Sequence, residues 1–101
     1  MDKIFFCKLN ELPPKKSIIK YFDEIKDELI LFENKEGKIK CFSSVCPHAA
    51  GEVVYEKCEL RCRWHGLKFD NQGKSFNGKV QLYLNEYNVK IIEEKIYVQE
   101  K

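Results

Sequence analysis

Apolar residues fall along this chain in short bursts, not at helical intervals. Ile4-Phe5-Phe6-Cys7-Lys8-Leu9 reads as a first strand. It is halted by Asn10-Glu11-Leu12-Pro13-Pro14, where two prolines remove ladder donors. Residues 17–22 and 28–33 are rich in Ile, Leu, Phe and Tyr, and the charged stretch Asp23-Glu24-Ile25-Lys26-Asp27 separates them. Asn34-Lys35-Glu36-Gly37 reads as a hairpin loop with glycine at its positive-φ position, and residues 38–42 then alternate polar and apolar as a half-buried strand does. From Cys46 to Gly78 the strands shorten and glycines at 51, 66, 73 and 78 punctuate the chain. Residues 87–92 and 95–99 alternate again around Glu93-Glu94, as a closing hairpin.

The pattern predicts an all-β fold, an antiparallel barrel or sandwich of about nine short strands. One domain over 1–101 is expected, with a loop-rich subdomain at about 44–78. The competing reading is a helix over residues 18–31, because Ile25 and Leu29 stand four apart.

Composition narrows the function. Hydrophobic residues make up 44% of the 101 and aromatics 13%, which calls for a folded core. No apolar run approaches the ~20 residues of a membrane helix. Lysine plus arginine, 18, nearly balances aspartate plus glutamate, 16, so a dedicated nucleic-acid binder is not expected. The opening Met1-Asp2-Lys3-Ile4-Phe5-Phe6 is too soon charged for a signal peptide, and five cysteines cannot all pair. Both features predict a reducing, cytoplasmic setting in which thiols are packing groups, metal ligands or redox groups.

Both histidines of the chain stand a short step after a cysteine, in Cys46-Pro47-His48 and Cys62-Arg63-Trp64-His65. Two thiolates and two imidazoles suit zinc or an iron–sulfur cluster. Structural zinc sites more often pair cysteine with cysteine at short spacing, whereas here each loop contributes one of each type. Using Cys58 with Cys62 as a thiol pair would leave a surplus ligand. Glycines just beyond each pair, Gly51 and Gly66, are expected to give the loops tight conformations.

These motifs resemble the Rieske [2Fe–2S] proteins, whose pattern is Cys-x-His, a spacer, then Cys-x-x-His. Val45-Cys46-Pro47-His48 and Cys62-Arg63-Trp64-His65-Gly66-Leu67-Lys68-Phe69-Asp70 are similar to the two cluster loops of Rieske ferredoxins and ring-hydroxylating oxygenases, and Gly73 stands at the family's following turn. The resemblance implies a [2Fe–2S] cluster with Cys46 and Cys62 on one iron and His48 and His65 on the other. It implies an electron carrier rather than an enzyme, passing single electrons from a reductase to an oxygenase-type acceptor, with the histidine edges as exit port and Ala49, Ala50 and Leu67 as an apolar collar. No third histidine exists for a two-His-one-carboxylate iron site, and a monomer is expected. A redox-sensing or accessory module and a zinc-stabilised Cys2His2 interaction domain stay open as alternatives.

The chain departs from the family in two ways. The spacer between His48 and Cys62 is 13 residues, shorter than usual, and no proline follows Pro47, so residues 76–80 are expected to build the cluster cover. High-potential relatives carry a serine two residues after the second histidine and a tyrosine two further on. Here Leu67 and Phe69 stand there, and Gly51 and Trp64 replace the cysteines that tie the two loops in that branch. A low-potential centre is therefore expected. Cys7 and Cys41 read as buried thiols, Cys58 as a structural residue with a disulfide or ligand role left open, and Trp64 as packing over the cluster loop. Arg61 and Arg63 read as a solvated pair that could steer an acidic partner.

Overall fold

The computed structural model describes residues 3–14, 16–47, 51–64, 66–78 and 81–101. Its strands are β1 (Ile4–Lys8), β2 (Ser17–Phe22), β3 (Asp27–Glu33), β4 (Ile39–Ser43), β5 (Val53–Glu56), β6 (Glu59–Cys62), β7 (Lys68–Phe69), β8 (Glu86–Ile92) and β9 (Lys95–Glu100). Six of them form one antiparallel sheet in the order β1-β9-β8-β4-β3-β2, and β5-β6-β7 form a second. The small sheet is inserted between β4 and β8, the segment expected to be loop-rich.

No helix spans residues 18–31. β2 and β3 pair there as a hairpin, from Ser17 opposite Phe32 to Phe22 opposite Asp27. Ile25 and Leu29 stand four apart because Ile25, in the turn, packs on the same core as Leu29. β3 itself is buried on both faces, so Leu29-Ile30-Leu31-Phe32 shows no alternation. Leu29 and Leu31 join a core with Phe6, Phe22, Cys41, Tyr87, Ile96 and Val98. Ile30 and Phe32, one residue out of phase, join a second core with Phe42, Val53, Tyr55, Leu60, Phe69 and Leu84. β4 divides likewise, Cys41 to the first core and Phe42 to the second. The large sheet is thus the shared wall between two cores, and the small sheet closes the second.

The hairpin at Asn34 forms as its residues predict: Asn34 Oδ1 accepts from the Glu36 and Lys38 N–H groups at 2.9 Å, and Gly37 takes φ 84°. Two further hairpins turn without glycine. Lys57-Cys58 and Glu93-Glu94 hold φ between 50° and 64°, the left-handed pair that a two-residue connection between twisted strands requires.

The large sheet curls until its edge strands meet through a side chain. Lys20 Nζ on β2 donates to the Phe6 carbonyl on β1 at 2.9 Å, and the Phe6 and Phe22 rings lie 5.1 Å apart. Lys20→Met keeps the stem but removes the charged donor. It is expected to lower stability by about 1 kcal/mol, measured as a lower urea midpoint at unchanged m-value. An unchanged midpoint would mean that the rings alone close the curl.

Candidate metal centre

Each candidate cysteine closes the loop that it opens. The Cys46 N–H donates to the Gly51 carbonyl at 2.7 Å and the Cys62 N–H to the Leu67 carbonyl at 2.8 Å. In both loops the acceptor stands five residues on. By sequence His48 and His65 fall inside these loops; both lie outside the described residues, as do Ala49 and Ala50.

The Val45–Glu52 bridge closes the neck of the first loop, and a backbone bond ties the second loop to it: the Arg63 N–H donates to the Glu52 carbonyl at 2.9 Å. Cys46 and Cys62 are almost completely buried in the second core, and the five cysteines are thiols rather than disulfides. Gly51 is buried beside them. A Cβ built on it would stand 3.0 Å from Cys62 Sγ, so this glycine is required for space, not for a positive φ. Two buried sulfur donors on adjoining loops, with backbone approaching closely, fit a metal–sulfur group.

The support behind the loops was not read from the sequence. Asp27, in the stretch taken as a charged spacer, accepts from Ser43 Oγ and from Tyr87 OH, each at 2.9 Å. Ser44 donates through its N–H to the Glu28 carbonyl at 2.7 Å and through its hydroxyl to the Glu28 carboxylate at 2.8 Å. These bonds fix the two residues that lead from β4 into the first loop. Burial, then the bond to Asp27, pushes the Tyr87 hydroxyl well above the ordinary tyrosine range. Behind the second loop, Asn77 accepts from the Lys68 N–H at 2.6 Å and donates to the Gly66 carbonyl at 3.1 Å. Residues 76–78 therefore lie against the second loop, with Phe76 itself 59% exposed; Lys79 and Val80 lie outside the described residues.

A family model described as the Rieske [2Fe-2S] domain matches residues 2–97. The chain belongs to the Rieske [2Fe–2S] family. It is 30% identical over 77 residues to the cytochrome b6-f complex iron-sulfur subunit of Chlorobaculum tepidum, a match that takes in 74% of this chain and 42% of that subunit. The chain thus spans less than half the length of that curated relative. Among solved structures, the ferredoxin of carbazole 1,9a-dioxygenase from Nocardioides aromaticivorans IC177 is similar with TM-score 0.82 and 21% identity, over 100% of both chains. A chain in a complex of reduced oxygenase and oxidized ferredoxin in carbazole 1,9a-dioxygenase is similar with TM-score 0.82 and 15% identity, over 98% of this chain and 95% of that one. The all-β fold and the family are those expected from the sequence. As a Rieske protein the chain carries a [2Fe–2S] cluster, whose chemistry is one-electron transfer.

The geometry assigns the remaining cysteines of this Rieske chain. Cys7 and Cys41 sit in the first core, apart from Cys46 and Cys62 in the second, and burial pushes both thiols upward in pKa. Cys58 occupies the β5–β6 turn. Residues 59–61 of β6 separate it from Cys62, which stands at the other end of the hairpin opposite Val53. Cys58 packs beside the Tyr55 hydroxyl, which is pushed up to about 12 by burial first and by Cys58 and Glu33 after it.

Both arginines beside the second loop, read as a solvated pair, have carboxylate partners on the surface. Arg63 pairs with Glu52 at 3.1 Å and Arg61 with Glu56, and Lys68 pairs with Glu59 at 3.6 Å. The cationic charge is met on the chain's own surface. Electron-transfer rates should accordingly stay flat as salt rises across the Arg61→Gln and Arg63→Gln variants and the parent alike. A parent rate that falls steeply with ionic strength, and loses that dependence in either variant, would restore the steering role.

Proposed function

We propose that this Rieske protein passes single electrons from a reductase to an oxygenase-type acceptor, working as a low-potential ferredoxin. Cys46 and Cys62 hold one iron and His48 and His65 the other. The reading takes residues 1–101 as one functional domain, with residues 44–78 as the cluster-binding subdomain, acting as a monomer in the cytoplasm. Among the described residues no helix is long and apolar enough to cross a membrane.

The observation that carries the reading is the pair of like-closed loops. Each cysteine N–H is tied five residues on, and each loop holds one histidine. By sequence each loop contributes one cysteine and one histidine, the donor set of a Rieske centre. Neutral imidazoles in place of two thiolates make an added electron less costly than in an all-cysteine cluster. The end-to-end likeness to a dioxygenase ferredoxin supports the acceptor class.

Rapid mixing tests the role. Protein reduced anaerobically with dithionite is mixed with an oxidised Rieske oxygenase component, and both clusters are followed by absorbance. The reading predicts stoichiometric single-electron transfer within the turnover time of the oxygenase. A reduced protein that keeps its electron in the presence of every oxygenase component offered would point to a sensing module. Zinc in place of iron on metal analysis would overturn the cluster itself.

A further inference from the structure

Trp64 is the chain's single tryptophan, and it is 71% exposed. Its inner side is nevertheless fixed. A Cβ built on Gly51 would meet Trp64 Cγ at 3.4 Å and Cδ2 at 3.5 Å, next to Cys62 Sγ at 3.0 Å. The indole and the Cys62 sulfur therefore flank the same bare patch of Gly51 backbone. The Gly51 carbonyl is in turn the acceptor that closes the Cys46 loop. A residue of the second loop thus lies over the residue that completes the first. The neighbouring Arg63 is held by its backbone bond to Glu52 at 2.9 Å and its ion pair at 3.1 Å, which fixes the approach of Trp64.

We infer that Trp64 is a positioning residue for the redox centre, its indole roofing the Cys62 sulfur over Gly51 so that water cannot hydrogen-bond to that sulfur. The inference rests on Cys62 being a cluster ligand. Hydrogen bonds and solvent at the sulfurs stabilise the extra negative charge of the reduced state, so a ring that excludes them holds the potential down. Gly51 is the counterpart of the roof: a Cβ there would press on the Cys62 sulfur at 3.0 Å while reaching ordinary contact with the ring at 3.4 Å.

Two holoprotein variants test this by film voltammetry at pH 7, each first checked for an intact Rieske EPR signal. Trp64→Ala removes the roof, so its midpoint should rise above the parent. Trp64→Phe keeps an aromatic cover and should stay with the parent. Loss of iron to a chelator should be several-fold faster in Trp64→Ala and unchanged in Trp64→Phe. A parent-like midpoint in Trp64→Ala would overturn the inference, and so would Trp64→Phe shifting as far as Trp64→Ala. A Trp64→Ala protein unable to hold a cluster would make the ring a clamp rather than a roof, and would overturn it as well. Cys62→Ser separates the two levels: a parent spectrum in that variant refutes the ligand assignment, whereas a lost spectrum with unmoved Trp64→Ala potential refutes only the roof.

Discussion

His48→Ala is expected to abolish the visible and EPR signature of the cluster while leaving the large sheet folded. The first core is built from Phe6, Cys7, Phe22, Leu29, Leu31, Cys41, Tyr87, Ile96 and Val98. None of these lies in the 44–78 insertion, so the core does not depend on the metal. The second core takes Cys46 and Cys62 as members, and its small sheet should loosen when the loops lose their shared centre. Far-UV circular dichroism should therefore keep most of its strand signal while the visible bands vanish. His65→Cys should lose or profoundly alter the spectrum, because a thiolate replaces a neutral imidazole and changes the charge of the centre. Cys7→Ser and Cys41→Ser are the controls and should retain the parent spectrum. A His48→Ala protein with parent absorbance and EPR would refute the ligand set.

Gly73→Ala should be the most damaging single methyl in the fold. Gly73 holds φ 79°, and a Cβ there would stand 2.7 Å from Phe42 Cε1 and 3.4 Å from Leu84 Cβ. The backbone component costs roughly 1 kcal/mol, and forcing a methyl into packed rings adds about 1–3 kcal/mol. A total near 3 kcal/mol corresponds to a fall in Tm of roughly 15 °C for a domain of this size. Gly37→Ala isolates the backbone share, since φ is 84° there but nothing lies within 4 Å of the added Cβ. It should cost only about 1 kcal/mol. Equal losses at the two positions by thermal melting would mean that Phe42 and Leu84 give way freely, and that the packing between the sheets is looser than described.

The difference between those two glycines also marks what the sequence could and could not tell. Gly37 was legible, because Asn34-Lys35-Glu36-Gly37 states a hairpin in local chemistry alone. Gly73 was legible only as a turn; its packing against Phe42 joins residues far apart in sequence. The strands with one solvent-facing side announced themselves by alternation. β3 shows no alternation, because two cores claim its opposite faces; its Ile, Leu and Phe content marks it as a strand, with a helix as the competing reading. At the candidate centre, the Cys-His pairs are plain from spacing, since residue type and spacing are local properties. The braces were not: Asp27 looked like one acid in a charged spacer until Ser43 and Tyr87 met its carboxylate. Asn77 likewise gives no sign in the sequence that it clamps Gly66 and Lys68. Arg61 and Arg63 show the converse case. Their charges and those of Glu52, Glu56 and Glu59 are visible in the sequence, but which carboxylate meets which arginine depends on β5–β6 register.

The central claim, a low-potential Rieske carrier, is tested most directly by protein-film voltammetry of the parent at pH 7. Leu67 and Phe69 bring no hydroxyl near the loop, and Gly51 and Trp64 leave the loops without a disulfide. Phe69 is moreover buried in the second core, and Leu67 is half-buried. Rieske potentials run from about −150 to +300 mV, with hydrogen bonds to the sulfurs raising them. The account predicts a one-electron midpoint near the negative end of that range. A midpoint above roughly +100 mV would contradict it.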